Sequence, residues 1–490
     1  MKPSRIAIAI IVLAGGWLAA TAYTKHSVDQ AYRAQIEQLE KQLPMLHVSD
    51  LKQQGGMFSG STSGVVHIGC PPVGGKPDPK SWAIAFEDHI QYGPFPGFSS
   101  FGAASVDSHL ALTDATPADL RAVLAPLAPA KIHTVYGYGG GANATVLLPA
   151  GELNYAAGEA KFALRWAELR AQIAATRDNT QLQYDWALPE LAFSASGPVN
   201  GPTTGAEGAG GMMMKVSIKN LVAQGESTGR AGAWLREGKE TSSIERMEFS
   251  TTGPQAPPMN FIYDHLAAHT ASHLNQDFFD VDFGYTLAGM EVSGAGPGAK
   301  VANLTLDGKA QHLHAPSLEK MITSLLSGVD RQCALLGRDK AEPPQDPRAQ
   351  VAALFQGVDE AAKVLVAHDP AFSIDKLAFD FGGKRGEMSV KAQLKGLDVA
   401  AMSQGGPQAA QLMAQAAQVE ARARIPVQWL ASMAGGDAER SKAMADGFVA
   451  QGFAKRDGEN LTAEFTFAQG VSKLNGAVFP PRPAQASAPQ

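Results

Sequence analysis

The chain has 490 residues, a formal net charge of −6 and only 18% charged residues. With no basic cluster, that balance excludes the positive footprint that nucleic-acid binding needs. A hydrophobic share of 45% is enough for a real core.

The N-terminus carries Lys2 and Arg5 and then runs from Ile6 to Tyr23 without a charge. An uncharged stretch of that length is at the lower limit for a membrane-spanning helix. Lys2 and Arg5 ahead of it keep the N-terminus cytoplasmic and send the rest across the membrane. Residues 1–25 are therefore expected to be a single-pass anchor, with the bulk of the chain on the far side of the membrane. Ala20-Thr21-Ala22 also fits a signal-peptide cleavage site, so cleavage stays open. Either outcome exports the body.

Over 26–44, Val28, Tyr32, Ile36, Leu39 and Leu43 recur at helical spacing until Pro44. This amphipathic stalk reads either as a dimerising coiled coil or as a helix packed on its own body or on the lipid surface. From Met45 to His314 the pattern switches to period two, which makes 45–335 a β-rich region. Trp82, Ile84 and Phe86 alternate with more polar neighbours, as do Val106 to Leu112, Leu182 to Leu188, Met214 to Ile218 and Val281 to Leu287. These are half-buried antiparallel strands. Phe162, Trp166, Leu169 and Ile173 also fit a helical face, but their neighbours favour a strand over 161–176.

A helix is expected after Pro316, carrying Leu318, Met321, Ile322 and Leu325. A Pro-rich linker covers 336–348, and an α+β region covers 349–478. The latter should hold a helix from Val351 to Leu365 and a hairpin turning at Gly382-Gly383. Ala-rich helical stretches are expected near Pro407–Arg424 and Asp437–Gln451, followed by a closing hairpin around Gln469-Gly470. The tail, 479–490, reads as disordered. The fold class is α+β: predominantly twisted antiparallel β-sheet with a few packing helices, preceded by an N-terminal transmembrane helix.

Candidates for chemistry are few. His265, His269 and His273, near Asp264 and Asp277, would share one face of a helix and suit zinc or copper. On a strand, successive rings would stand ~13 Å apart, too far for one ion. His312 and His314 form a His-x-His pair at a strand end, and Asp280 and Asp282 pair on a strand. Gly139-Gly140-Gly141 reads as a turn and Met212-Met213-Met214 as strand-start packing or a greasy groove. No nucleophile elbow, zincin motif or phosphate loop occurs. Cys70 and Cys333 lack a CxxC partner, and both a disulfide and two separate thiols stay open. No residue is assigned a catalytic, cofactor-binding or metal-binding role. No cofactor is expected, and the chain reads as a non-enzyme.

Gly55-Gly56-Met57-Phe58-Ser59-Gly60, then His89-Ile90-Gln91-Tyr92-Gly93-Pro94-Phe95-Pro96, and downstream Arg424-Ile425-Pro426-Val427 and Asn475-Gly476 follow in order. In that order the chain resembles the YdgA-like family of proteobacterial envelope proteins, a family of unknown function. The resemblance implies an inner-membrane-anchored periplasmic protein and carries over no functional residue. Read alone, Gly93-Pro94-Phe95-Pro96 ends a strand, because two prolines remove amide donors, with Phe95 expected to pin the turn into the core. The leading expectation is a noncatalytic envelope protein that binds lipid or another envelope component in a β-sheet groove. The alternatives are a dimeric envelope scaffold and a metal-dependent hydrolase using His265, His269 and His273. Expected partners are the membrane through the N-terminal helix, lipid or an envelope protein, and a second copy, but no nucleic acid.

Overall fold

The computed structural model describes residues 45–69, 82–98, 100–114, 125–127, 129–198, 211–253, 256–294, 299–336, 357–402, 406–433 and 437–479, with isolated positions between 21 and 43 and beside these spans. Most of the expected anchor and of the linker, Cys70, the side chain of Cys333 and residues 480–490 lie outside them. Among the described residues no helix is long and apolar enough to cross a membrane. The chain forms two compact units: residues 1–197, 220–234 and 322–358, and residues 198–219, 235–321 and 359–490.

In the first unit, β1 (Leu46–Gly55), β2 (Ser59–Ile68), β3 (Trp82–Tyr92), β4 (Ala104–Leu112), β5 (Lys131–Tyr136) and β6 (Ala142–Leu148) form an antiparallel meander. Then come β7 (Gly151–Ala157), β8 (Ala160–Trp166), β9 (Leu169–Ala175) and β10 (Gln181–Pro198). β6 with β9 and β7 with β8 share one register, so together they make one long hairpin with a break in the middle. The break falls at Pro149, which has no amide to give. Trp166 seals it: its indole donates to the Pro149 carbonyl at 2.9 Å, and its ring covers Gly151, where a Cβ would come within 2.4 Å. β10 pairs with β8 and β9 in one ladder, and the amide of Ala167 donates to Glu190 across the gap. Within 161–176, residues 161–166 and 169–175 are strand, as their neighbours indicated, with a break at 167–168.

The first unit's core joins Ile90, Tyr92, Ala104 and Val106, with Val28 and Tyr136 packed against them. Every described position from 21 to 40 is helical. Lys25 Nζ donates to Gly55 O at 3.5 Å, Arg33 to Gln53 Oε1, and Glu40 accepts from the Val48 amide. The helix thus runs antiparallel along β1, and Val28 faces the unit's own core.

The second unit contains β12 (Glu237–Gly253), β13 (Ala256–Asn275), β14 (Phe278–Ser293) and β15 (Ala299–His314); before them β11 (Gly211–Thr228) is divided between the units at Lys219/Asn220. It adds β16 (Ala371–Phe381), β17 (Lys384–Leu394), β18 (Ala417–Pro426) and β20 (Asn460–Ala468), with short β19 (Lys455–Asp457), β21 (Val471–Leu474) and β22 (Ala477–Val478). From β12 to β18 each strand pairs with the next, and β18 then pairs with β20. Because β15 pairs with β16, one sheet continues across the 336–348 linker, and the compact units do not divide there. α1 (Ala315–Leu336) leaves directly from β15, and α2 (Val358–Val366) precedes β16.

The expected helix near Pro407–Arg424 is only partly helix. After a short α3 (Val399–Met402), α4 (Gly406–Ala416) stops where β18 begins. The reason was in the sequence: Val419, Ala421, Ala423 and Ile425 alternate with Gln418, Glu420, Arg422 and Arg424, which is strand periodicity. Two adjacent strands with free edges then outweigh the helix propensity of alanine. α5 (Val427–Met433) and α6 (Ala438–Ala450) follow, and Asp437 caps α6 by accepting from the amides of Glu439 and Arg440. Leu430, Ala445 and Leu461 close this corner, and Trp429 stacks on Phe379 at 4.6 Å above Gly386.

Gly151→Ala should lower stability by about 1–3 kcal/mol, because the added methyl displaces Trp166. Gly447→Ala, inside α6 with nothing within 4 Å of its Cβ position, should raise it by about 0.5–1 kcal/mol. Urea unfolding midpoints of the two variants check this; a Gly151 variant as stable as wild type contradicts the Trp166 seal.

Candidate functional site: the two faces of the second unit's sheet

Register assigns side chains in the second unit to opposite faces. Tyr285, Leu306, Leu377, Met388, Ala423 and Ala463 lie in one cross-strand row. Phe283, Gly308, Ile374, Val390, Ala421 and Phe465 form the next row on that face, and Val281, Ala310, Phe372, Ala392, Val419 and Phe467 the one after. A bulge at Asp375-Lys376 shifts β16 against both neighbours, so Leu377 returns to the face of Ile374. The result is a continuous apolar face. Phe283 lies across Gly308, where a Cβ would come within 2.5 Å, and meets Phe372 at 5.9 Å between ring centres.

Trp429 and Leu430 from α5 and Ala445 from α6 cover one end of this face, over Phe379, Gly386 and Leu461. Away from that end the large apolar side chains are only half-buried, and Phe372 is 45% exposed. A half-covered apolar sheet face is costly in water unless something else lies on it.

The opposite face is polar. Asp282, Lys309, Ser373, Lys391, Glu420 and Thr466 form one row. Next to it, Gln393 donates to Gln418 at 2.6 Å. Lys309, Lys391, Gln393, Asp375 and Glu420 line a groove of about 660 Å³ here. Lys309 pairs with Asp282, and Arg422 with Glu420 and Glu464. Cations and carboxylates alternate, so the groove has no dominant sign for drawing in an anion.

His265, His269 and His273 all stand exposed on β13. Strand geometry separates successive rings by ~13 Å, so they do not converge. Their local settings are structural. His269 lies across Gly284, where a Cβ would come within 2.2 Å of its ring. His265 takes a φ of 52°, as does Asn303, and both ladders of β13 skip a pair at His265. Asp264 pairs with Arg246 at 2.7 Å, and the backbone carbonyl of Asp277 accepts from Ala315. Among the described residues no group of three or more His, Cys, Asp or Glu side chains gathers to hold a metal ion.

The His-x-His pair gains a third histidine that the sequence did not single out. His314 and His368 stack at 3.9 Å with planes 5° apart, and His312 stacks on Phe278 at 3.9 Å. Lone pairs of parallel rings point in parallel directions, so the His314–His368 stack does not chelate. Asp280 accepts from the His312 amide at 2.6 Å and fixes a bulge there. Burial, and then the neighbouring His368 imidazole, hold the His314 pKa below the ordinary histidine value, against the opposing pull of Asp277. His368 Nδ1 donates to the Val364 carbonyl at 2.7 Å.

Other features fall outside the expected chemistry. Met212 and Met213 start β11 exposed, not in a core. In the first unit, register brings His89 and Asp107 opposite each other and Asp107 opposite His133, with His133 Nδ1 2.7 Å from Asp107. No sequence motif marked that trio, because its members come from three strands.

The fold and its two faces define an α+β protein built on a twisted antiparallel sheet with one apolar and one polar side. The chain belongs to the DUF945 family, bacterial proteins of unknown function, whose family model matches residues 1–482. No curated protein and no solved structure matches it.

A depressed His314 pKa means that the unfolded chain takes up this proton first as pH falls. Stability from this group is complete above about pH 6.5 and declines as pH drops through the lowered native pKa. His368→Asn keeps a donor for Val364 and removes the second imidazole, so the decline should become shallower. Unfolding midpoints for both proteins at about pH 7.5 and 5.5 test this. An unchanged slope would show that the stack does not govern the titration.

Proposed function

We propose that this chain is a noncatalytic, inner-membrane-anchored periplasmic protein of the YdgA-like kind that holds lipid acyl chains along the apolar face of its second unit. The observation that supports this is the half-exposed run of Phe283, Phe372, Ile374, Val390, Phe465 and Phe467 on one face of one sheet. Acyl chains match such a face because they need no hydrogen bonds and lie parallel to its side-chain rows. The charge-balanced polar face gives solubility on the other side.

A dimeric scaffold remains the other reading. The packing of Val28 on the first unit's own core favours the lipid reading, since that stalk position is already occupied. A metal-dependent hydrolase would need His265, His269 and His273 to converge, and their spacing along β13 disfavours it.

Native mass spectrometry of the full chain, released from mild detergent, should show adducts of phospholipid mass that vanish on denaturation. Val390→Asp with Phe465→Asp should cut adduct occupancy about tenfold or more, corresponding to at least about 1.4 kcal/mol of binding. Lys391→Gln, on the polar face, should leave it unchanged. A clean apo mass for the wild-type chain would sink the lipid reading, and a dimer mass would favour the scaffold.

A further inference from the structure

At one end of the first unit, three connections of the meander come together. They are the β1–β2 turn at 56–58, the β3–β4 loop at 93–103 and the β5–β6 turn at 137–141. Backbone bonds tie them side by side: Tyr92 donates to Phe58, and Ala103 to Tyr136. All three present aromatic side chains outward. Phe98 is 86% exposed, Phe101 69% and Phe95 51%, and Phe58 and Tyr138 are exposed beside them. Phe95 meets Phe101 at 5.4 Å, and Phe101 meets Tyr138 at 5.5 Å.

The outward placement is built in. Gly93 donates to Ala103 at 2.6 Å, and Gly102 to Pro94 at 3.3 Å, closing the loop at its base. A Cβ on Gly93 would come within 1.8 Å of the Gly102 carbonyl, so only glycine allows that closure. Within Gly93-Pro94-Phe95-Pro96, Gly93 and Pro96 are buried and Phe95 is exposed. The expected pin is reversed: proline anchors the loop and the phenylalanines face out.

Two further observations say what covers this patch. The helix that begins before Lys25 reaches the unit at this same end, because Lys25 contacts Gly55 while Glu40 lies back beside Val48. In the sequence, the uncharged run Ile6 to Tyr23 ends just before Lys25. Cations also rim the patch: Lys25 on Gly55, and Arg177 with its stem against Gly140. The one acid in that rim's turn, Asp178, is held by hydrogen bonds from Thr176 and Thr180. Exposed aromatics rimmed by cations at the point of chain insertion match the headgroup–acyl boundary of a bilayer.

We propose that these three connections are a membrane-contacting edge, which inserts Phe95, Phe98 and Phe101 into the lipid surface next to the chain's N-terminal segment. This rests on the anchored reading above but assigns a separate surface, in the other unit from the apolar sheet face. The edge sets the unit's orientation on the bilayer by holding the meander's aromatic end down.

The full chain is reconstituted in vesicles of phosphatidylethanolamine and phosphatidylglycerol. A photoreactive phenylalanine analogue replaces Phe98 or, as a control on the far end of the long hairpin, Tyr155. Irradiation followed by mass spectrometry should give lipid adducts at 98 and none at 155. Vesicle flotation without lipid adducts at 98, or with crosslinks there to a second copy or another protein, overturns the membrane edge and leaves the anchored reading standing. Failure of the chain to float with vesicles overturns both.

Discussion

Backbone pairing between β15 and β16 holds the second unit's sheet together across a long excursion of the chain. On either side of that pair, register stays in phase from β14 to β20, because the bulge at Asp375-Lys376 absorbs the one residue that would flip β16. A slip of one residue there would send Ile374 and Phe372 to the polar side and Ser373 to the apolar side. The separation into an apolar and a polar face, and every functional reading built on it, depends on that compensation.

Glycine is used repeatedly as the space into which a ring is laid. Trp166 covers Gly151, Phe283 covers Gly308, His269 covers Gly284 and Trp429 covers Gly386. In each pair, ring and glycine sit on adjacent strands or on a helix over a strand, so missing Cβ atoms turn into flat contact for an aromatic face. This gives these four of the chain's 51 glycines a packing role beyond turns. It also explains how a sheet with few fully buried large side chains still holds its aromatic residues in fixed positions.

Most strands were legible because a half-buried strand writes period two directly into its residues. β3, β4, β10, β14 and the β16–β17 and β20–β21 hairpins fall where alternation placed them. β18 departs from the helix expected over Pro407–Arg424 because alanine is neutral between the two periods and so hides the alternation of its neighbours. The candidate site was less legible. His265, His269 and His273 drew attention by spacing alone, whereas a strand turns that spacing into distance. His368 and the His89–Asp107–His133 trio carried no spacing signal, because register between distant segments brings them together.

By itself the sequence determined the strand-dominated α+β class, the apolar character of Ile6 to Tyr23, the absence of a nucleic-acid footprint and the turn at Gly93-Pro94-Phe95-Pro96. These follow from composition and local periodicity, which act over a few residues. Only the tertiary structure decided which face each strand presents, that one sheet runs through the 336–348 boundary, that Val28 packs on its own unit, and that Phe95 faces outward while Pro96 is buried. Each of those depends on backbone pairing or contact between segments far apart in the chain, and no local pattern encodes which partner a strand will find.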